Sequence, residues 1–310
     1  MKRVFIDGSA GTTGLRIYER LSARADIELL SLPEADRKVP EKRAEMLNRA
    51  DAAFLCLPDA AAIEAVSLVE NPETVLLDAS TAHRIHPDWA YGFPELSDAH
   101  RAKIKSSKRI AVPGCHASGF VALVYPLVEA GVLPKDALLT CTSLTGYSGG
   151  GKKMIAEYEA ENRDRLLDSP KAYALTQAHK HLPEMQAVTG LKNAPIFLPI
   201  VANYYSGMQL TVPVFLAQLA GTADDVRAVF RRKYRGPVVR YVDCAEDIGF
   251  GNRSSGSDGM KIAVAGSGER ILLIASFDNL GKGASGAAVE CMNAAFGFEF
   301  TKGLALEGDE

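Results

Sequence analysis

Short apolar runs alternate with helical patterns through the first part of the chain. The apolar runs, which we predict to be strands, are Val4–Ile6, Ile27–Leu30, Ala52–Leu57, Val75–Leu77 and Ile110–Val112. Apolar residues with helical spacing fill gaps between them, at about residues 13–21, 41–49 and 59–70. Buried strands that alternate with helices are typical of a parallel sheet covered by helices on both faces. The pattern therefore predicts an α/β domain at the N-terminus.

The pattern changes after residue 115. A helix is predicted over about 118–130, and longer alternating segments follow at Leu138–Leu144, Met208–Leu219, Val238–Val242, Lys261–Val264 and Arg270–Ser276. Such alternation suits a mixed or antiparallel sheet with one covered face. The apolar helix Ala284–Phe296 needs a partner, and we expect it to return to the first domain. The expected domains are residues 1–115 with 283–310, and residues 116–282.

A glycine-rich turn joins the first predicted strand to the first helix. It has a GxxGxxG pattern, and its candidate phosphate-binding residues are Gly8, Ser9, Gly11, Thr12, Thr13 and Gly14. In a Rossmann dinucleotide-binding domain, glycines here allow the tight turn, the approach of the pyrophosphate and close packing of helix on strand. Free N–H groups at the helix start then bind phosphate. An ordinary strand-to-helix turn is the alternative, but the position after the first strand favours a cofactor site.

Two cations follow the second predicted strand, where NAD-dependent enzymes usually carry an acidic residue for the ribose 2′-hydroxyl. This strand ends at Ser31, with Arg37 and Lys38 a few residues beyond. A hydroxyl followed by two cations suits a 2′-phosphate, which favours NADP(H). Glu34 and Asp36 lie in the same segment, so a solvated loop is the alternative.

Cys115 lies where a predicted strand gives way to a helix, directly after Pro113 and Gly114. The positive end of the helix dipole and the unpaired N–H groups there stabilise a thiolate. The same groups can stabilise the oxyanion that forms when a carbonyl is attacked. We therefore predict that Cys115 is a nucleophile.

A second polar cluster has the sequence HKHLPE, from His179 to Glu184. Pro183 disfavours helical geometry at Leu182 and fits the first turn of a helix, so we predict extended backbone before it. Alternate residues of an extended chain point the same way, and His179 and His181 would then share a face. Paired histidines suggest a general base or a metal pair, and an exposed pair without function is the alternative.

Two further polar segments can hold an anion. The turn Gly149–Lys153 brings Lys152 into a helix start and suits a phosphate or carboxylate, although it could equally be a hinge. The segment Asp78–Arg84 closes a predicted strand, where open α/β sheets place their ligands. Arg84 and Lys152 are accordingly candidate substrate contacts.

Composition and charge narrow the classes of protein. The 310 residues carry 35 basic and 38 acidic side chains, for a net charge of −3, and 47% are hydrophobic. Neither nucleic acid nor a membrane surface is indicated as the main partner. We expect no membrane span and no secretory signal, because no apolar stretch is long enough and the N-terminus soon becomes polar. The densest charged run, Lys38 to Arg49, is predicted to be a solvated helix face.

The 5 cysteines are widely spaced and form no CxxC pair. This usage favours neither a disulfide framework nor a thiolate zinc site, and it indicates a reducing cytoplasm. Cys56, Cys141 and Cys291 lie in apolar runs and are predicted to be inert. Acidic neighbours should suppress the thiolate of Cys244.

Seven motifs together resemble those of the N-acetyl-γ-glutamyl-phosphate reductase family, within the semialdehyde dehydrogenase superfamily. They are GSAGTTG, DASTAHR, YGFPEL, VPGCHASG, SGGGKK, HKHLPE and DNLGKGASG, and they span nearly the whole chain. The cysteine motif and HKHLPE are specific together, whereas DNLGKGASG is shared across the superfamily. The length suggests the shorter form of the family. Longer members often have a tyrosine after the cysteine and an arginine in the glycine-rich turn, where this chain has His116 and Lys152.

The resemblance implies a Rossmann domain and an α+β catalytic and dimerisation domain in an enzyme of arginine biosynthesis. It would reduce N-acetyl-glutamyl 5-phosphate to the semialdehyde with NADPH, through a cysteine thioester, and release phosphate. Carried over to this chain, Cys115 is the nucleophile and the HKH segment supplies the acid–base histidine, with His181 preferred over His179. Residues near the nicotinamide would be Asn279, Gly281 and Lys282, and substrate contacts would be Arg84, Lys152 and Glu184. A homo-oligomer, dimer or tetramer, is expected, with no metal.

Three other functions compete with this one. Aspartate-semialdehyde dehydrogenase shares the chemistry, but HKHLPE and YGFPEL argue against it. A zinc-dependent hydrolase could use Cys115, His116, His179 and His181 as ligands. A catalytically silent NADP-binding regulator would be expected to lack the nucleophile, which is present.

Overall fold

A computed structural model describes residues 1–243 and 248–306, which fold as two compact units. The first comprises Met1–Gly114 with Ala284–Leu304, and the second comprises Cys115–Gly283 with Ala305 and Leu306. Ala305 groups with the second unit because its backbone N–H and C=O bond to the side chain and backbone of Asp258. Within the described ranges, no helix is both long and apolar enough to cross a membrane.

The first unit is built on a parallel sheet. Its strands are β1 (Lys2–Asp7), β2 (Ile27–Leu30), β3 (Ala52–Leu55), β4 (Val75–Asp78), β5 (Ala90–Tyr91) and β6 (Arg109–Ala111). Its helices are α1 (Thr12–Ser22), α2 (Pro40–Arg49), α3 (Asp59–Ser67), α4 (Asp98–Ser106) and α9 (Gly286–Phe296). The strand order is β2-β1-β3-β4-β6-β5, with every described pair parallel. In this register Val4 lies between Leu29 of β2 and Ala52 of β3.

Alternate residues of each strand enter separate cores on the two faces of this sheet. Val4 and Ile6 of β1 pack with Ile17 of α1 and with the apolar side of α9. Phe5, between them, packs with Leu47 of α2 on the opposite face. Because both faces are covered, the strands are apolar on both sides and read as continuous hydrophobic runs. The predicted α/β arrangement with helices on both faces is confirmed.

The second unit is built on a mixed sheet. Its strands are β7 (Thr140–Gly146), β8 (Lys171–Ala172), β9 (Ile196–Ala202), β10 (Met208–Phe215), β11 (Val239–Tyr241), β12 (Met260–Ser267) and β13 (Arg270–Phe277). Its helices are α5 (Cys115–Glu129), α6 (Gly151–Glu159), α7 (Leu182–Thr189) and α8 (Ala223–Lys233). The order is β11-β12-β13-β10-β7-β9-β8, in which β7–β9 and β11–β12 are parallel and the other pairs antiparallel. The prediction of a mixed sheet is therefore confirmed.

Helices cover one face of this sheet, and the other face is covered by Ile248 at Ala263 and Ile274 but exposed in part elsewhere. Helix α5 packs on β10 and β13, and α7 and α8 pack beside it. The residues that alternate with the buried ones include Ile196, Leu198, Phe215 and Leu272, of which Ile196 is 64% and Phe215 58% exposed. These four residues mark what we call the open face of the second sheet.

A proline interrupts the hydrogen bonding of α5. Pro126 has no N–H to donate to the carbonyl of Ala122, four residues earlier. The hydroxyl of Tyr234 donates to that carbonyl instead, at 2.6 Å and fully buried. Tyr234 follows α8 directly, so the end of α8 supplies the bond that α5 lacks.

Several element boundaries differ from the sequence predictions. Helix α5 begins at Cys115 rather than near Ser118, directly after the pair Pro113 and Gly114. The predicted strand to Leu219 stops at Phe215 and continues as a 3₁₀ turn over Leu216–Gln218. A hydrogen bond from the N–H of Phe215 to the side-chain oxygen of Gln218 closes this turn.

Candidate active site

The glycine-rich turn of the first unit has the backbone geometry that a phosphate site needs. Gly8 has φ +86°, and a Cβ there would lie 2.3 Å from the carbonyl oxygen of Cys56. A Cβ on Gly14 would lie 2.4 Å from the carbonyl oxygen of Gly8. The N-cap of α1, Gly11, offers no side-chain cap, so the first N–H groups of the helix are left for another acceptor. A dinucleotide pyrophosphate fits this cradle.

A buried ion pair lies directly under this turn. Asp7, which precedes Gly8, accepts a bond from the guanidinium of Arg43 at 3.0 Å, and both side chains are at most 7% exposed. Arg43 also binds Glu64 at 2.7 Å. Burial raises the pKa of the Asp7 carboxyl, and the charge of Arg43 opposes that rise. The prediction that residues 38–49 form a solvated face is wrong at Arg43, because this partner draws its guanidinium inward.

The candidate 2′-phosphate residues follow the carboxyl end of β2. Ser31, Arg37 and Lys38 are all exposed, and the two cations come just after the 3₁₀ turn Glu34–Asp36. In the part of the chain that the structure describes, neither Arg37 nor Lys38 forms an ion pair. Both charges are therefore available to an anionic group.

Cys115 is the first residue of α5 and is a half-buried free thiol. The helix is 15 residues long, so Cys115 lies at the positive end of a full helix dipole, beside the N–H groups of the first turn. The other described cysteines differ. Burial raises the pKa of Cys56 to about 12 and raises that of Cys141 further, and Cys291 is buried and donates to the carbonyl of Gly92. Cys244 lies outside the described residues.

The HKH segment is a turn, not the extended chain that we predict. His181 has φ −86° and ψ −12° as the N-cap of α7. The N–H of His181 donates to Nδ1 of His179 at 3.1 Å, and the N–H of Leu182 donates to the carbonyl of His179. These bonds satisfy donors that the helix start would otherwise leave open, which favours the turn over the extended form. Pro183 does lie in the first turn of the helix, as predicted.

The turn still brings the two rings together and adds a third. The centroids of His179 and His181 are 4.7 Å apart, and each is 5.5 Å from the ring of His116. His116 follows Cys115 in α5, so the pair lies against the helix turn that carries the thiol. His181 is 4% exposed, whereas His179 is half-buried.

His116 is held in place by two hydrogen bonds. Its Nδ1 is 2.8 Å from Oγ of Ser143 in β7, and its Nε2 is 2.7 Å from the hydroxyl of Tyr173. Burial lowers the pKa of His116 to about 3, with a smaller contribution from His179. His116 is therefore neutral at working pH, and this makes it a poor candidate for the acid–base group.

The residues of the DNLGKGASG motif in the second unit form a buried corner. Asn279 accepts the N–H of Gly207 at 2.9 Å and donates to Ser148 at 3.0 Å. Gly281 donates its N–H to the carbonyl of Asp278, and Lys282 is 1% exposed. Asn279 thus links this motif to the SGGGKK turn, which is a folded 3₁₀ segment leading into α6.

The three candidate substrate contacts occupy different settings. Arg84, in the first unit, donates to the carbonyls of Val112 and Ala79 and is 9% exposed. Lys152 is exposed in the first turn of α6, and Glu184 is 3% exposed in the first turn of α7. Glu184 and the histidine pair belong to the same stretch of the second unit.

The donor set does not support a metal centre. Across residues 1–243 and 248–306, no group of three or more His, Cys, Asp or Glu side chains is arranged to hold a metal ion. Both ring nitrogens of His116 are already bonded to hydroxyl groups. These bonds would have to break before His116 could serve as a zinc ligand.

Sequence reasoning missed Ser143 and Tyr173. They lie 27 and 57 residues from His116, and neither belongs to a motif. An indirect signal was present, since a histidine next to a nucleophile at a helix start needs buried partners.

Two protein-family models, both for domains of semialdehyde dehydrogenases, match the chain. The NAD binding domain matches residues 3–106 and the dimerisation domain matches residues 115–279. The chain therefore belongs to the semialdehyde dehydrogenase class, with an NAD(P)-binding domain of Rossmann type.

Curated relatives narrow the class. N-acetyl-gamma-glutamyl-phosphate reductases of Brucella ovis and Brucella canis are each 45% identical over 306 residues, covering 95% of this chain and 99% of theirs. The chain belongs to the N-acetyl-γ-glutamyl-phosphate reductase family.

Solved structures agree on the fold. Aspartate semialdehyde dehydrogenase II from Vibrio cholerae, complexed with ASA, has a TM-score of 0.72 at 16% identity and covers 96% of this chain and 98% of its own. The Candida albicans aspartate semialdehyde dehydrogenase with NADP has a TM-score of 0.66 at 16% identity, over 95% and 98% of the two chains.

Proposed function

We propose that this protein reduces N-acetyl-glutamyl 5-phosphate to N-acetyl-glutamate 5-semialdehyde with NADPH, a step of arginine biosynthesis, through a thioester on Cys115. The observation that carries the proposal is a half-exposed free thiol at the first residue of a 15-residue helix, beside a histidine pair that packs on the next residue. We infer the substrate from the names of the curated relatives.

The helix start favours an attacking thiolate and the oxyanion that follows. A free thiol is only a few per cent ionised at neutral pH, so it needs such stabilisation. N–H groups of the first turn of α5 can donate to the oxygen of the tetrahedral intermediate. Burial raises the pKa of Cys56 and of Cys141, and Cys291 is buried, which favours Cys115 among the described cysteines.

The tautomer of His179 supports His181 as the acid–base group. Nδ1 of His179 accepts the N–H of His181 at 3.1 Å, so the neutral ring carries its proton on Nε2. It could accept a second proton only at Nδ1, which would break that bond. His181 is buried with its ring 5.5 Å from that of His116, next to Cys115, and we assign it the proton transfers.

The steps then balance with these residues. His181 takes the thiol proton as the sulfur of Cys115 attacks the acyl carbon, and it returns this proton to the inorganic phosphate that leaves. When bound, NADPH would supply the hydride that reduces the thioester carbonyl. His181, protonated again from solvent, donates to the resulting oxygen, takes that proton back as the C–S bond breaks, and passes it to the sulfur, which releases the semialdehyde and restores the thiol.

We assign the first unit, with α9, as the NADP-binding domain and the second as the catalytic and dimerisation domain. Free Arg37 and Lys38 beyond β2 support NADP over NAD. The open face of the second sheet supports a homo-oligomer, since apolar side chains there are left in solvent. The free thiols of Cys56, Cys115, Cys141 and Cys291 support a cytoplasmic location.

A reverse-direction assay tests the proposal. N-acetyl-glutamate semialdehyde and NADP⁺ should give NADPH only when inorganic phosphate is present, and aspartate semialdehyde should be a poor substitute. Treatment with a chelator should leave the rate unchanged. A faster rate with aspartate semialdehyde would overturn the substrate, and a rate lost to the chelator would overturn the mechanism.

Two asparagine variants test the histidine assignment. His181→Asn should lower kcat by about 10²-fold or more and flatten the acid limb of the pH–rate profile. His179→Asn should act mainly on substrate affinity. If His179→Asn alone removes the acid limb, the two roles are exchanged.

A further inference from the structure

Arg43 joins three elements at the carboxyl edge of the first sheet. Its Nε donates to Oδ2 of Asp7, at the end of β1, at 3.0 Å, and its Nη1 donates to Glu64 of α3 at 2.7 Å. Its Nη2 lies 2.9 Å from the same Asp7 oxygen and donates to the carbonyl of Ala61 at 3.5 Å. Two nitrogens of one guanidinium therefore hold the carboxylate that directly precedes the glycine-rich turn.

The buried charges of this cluster are those of Asp7 and Arg43. Their side chains are 5% and 7% exposed, whereas that of Glu64 is 50% exposed. Water screens an exposed charge far more than a buried one, so the charge of Arg43 chiefly balances that of Asp7. The charges that act on the Asp7 carboxyl come from Arg43 in α2 and Glu64 in α3. The neighbouring thiol of Cys56, after β3, stays protonated, because burial raises its pKa to about 12.

Without this balance, the carboxylate would oppose the binding of an anion at the turn. Asp7 precedes Gly8, and the turn leads into the first N–H groups of α1, which have no side-chain cap and which we assign to the cofactor pyrophosphate. A nearby like charge disfavours a bound phosphate, and more strongly when it is buried. Buried ion pairs add little stability on average, so stability alone does not account for a pair at this position.

We propose that Arg43 is a positioning residue for the cofactor, which neutralises Asp7 and so keeps uncompensated negative charge away from the turn that receives the pyrophosphate. Arg43 acts through Asp7 and needs no contact with the nucleotide. The inference rests on the proposed cofactor site at the glycine-rich turn.

The test is the pH dependence of NADP⁺ binding to the full-length enzyme, measured by isothermal titration calorimetry. In Arg43→Met the cation is gone, and burial raises the pKa of the Asp7 carboxyl further than in the wild type. The carboxyl is then neutral at low pH and ionises as the pH rises through that higher pKa. The Kd of Arg43→Met divided by that of the wild type should be near one at about pH 5 and about tenfold or more at about pH 8. Titration of the cofactor phosphates is common to both proteins and cancels in this ratio.

Three variants separate charge from structure. Arg43→Lys keeps a cation without the fork, and its Kd ratio should stay near one at each pH. Asp7→Asn leaves the guanidinium bound to Glu64, so the variant should fold, and it should bind NADP⁺ at least as tightly as the wild type. The double variant Asp7→Asn/Arg43→Met has no carboxylate to ionise, and its ratio should not change with pH.

Arg24 provides a matched control in the same unit. Its side chain is 4% exposed and pairs with Asp26 at 2.8 Å, after the opposite end of α1. Arg24→Met removes an equally buried guanidinium, so it should lower the melting temperature without making the Kd ratio depend on pH. The inference is overturned if Arg43→Met has a ratio of one throughout, if its ratio is raised equally at every pH, or if Asp7→Asn binds more weakly than the wild type.

Gly14→Ala separates a failure of this inference from a failure of the cofactor site. If Gly14→Ala binds NADP⁺ as tightly as the wild type, the turn does not hold the pyrophosphate and both proposals are wrong. If Gly14→Ala binds weakly while Arg43→Met binds as the wild type does, the role of Arg43 alone is wrong.

Discussion

The hydroxyl of Tyr234 should stabilise the helix that carries Cys115. Tyr234→Phe leaves the buried carbonyl of Ala122 without the tyrosine donor, and Pro126 cannot replace it. An unsatisfied buried acceptor costs about 1–3 kcal/mol. At about 2–4 °C for each kcal/mol in a domain of this size, the melting temperature should fall by roughly 2–12 °C.

Thermal unfolding followed by circular dichroism, at one protein concentration, measures this loss. Pro126→Ala restores an N–H four residues after Ala122, so the double variant Pro126→Ala/Tyr234→Phe should regain much of the stability. Tyr204→Phe removes a buried hydroxyl that has no hydrogen-bond partner among the described residues, and it should cost less. Two results would refute this explanation: a Tyr234→Phe variant with the melting temperature of the wild type, or a double variant Pro126→Ala/Tyr234→Phe that melts no higher than Tyr234→Phe.

Three further changes probe the cofactor site and the open face. Alanine at both Arg37 and Lys38 should raise the KM for NADPH and leave that for NADH nearly unchanged; equal losses in steady-state kinetics would show that neither contacts the 2′-phosphate. Gly14→Ala places a methyl group 2.4 Å from the carbonyl of Gly8 and should weaken NADPH binding at least about tenfold by fluorescence titration, which unchanged binding would disprove. Lysine at both Ile196 and Phe215 should reduce the oligomer in analytical ultracentrifugation, and an unaltered oligomer would place the interface elsewhere.

Local patterns predicted most of the first unit because its strands are buried on both faces. Each strand is a short apolar run, and the order of runs and helices sufficed for a parallel sheet. Helix α4 escaped prediction because Ile104 is its one buried apolar residue within the described chain, so its periodicity is weak. Its start is marked instead by Ser97, whose side chain accepts the N–H of His100.

The position of the candidate nucleophile was predictable because its signal is local. Cys115 was expected at a helix start from its place after Pro113 and Gly114, and it is the first residue of α5. Arg43 could not be identified, since a charged run gives no sign of which member finds a buried partner. Ser143 and Tyr173 come close to His116 only when β7 and the segment after β8 fold. Their distance along the chain therefore does not predict these contacts.

The central claim is that an acyl group passes through the sulfur of Cys115. Semialdehyde and NADP⁺ mixed with the enzyme in the absence of phosphate should give a burst of NADPH and then stall, because the thioester has no phosphate acceptor. Mass spectrometry of the stalled enzyme should find the N-acetyl-glutamyl group on Cys115, and Cys115→Ser should show neither burst nor adduct. A burst of equal size in Cys115→Ser, or steady turnover with Cys115 unmodified, would contradict the account.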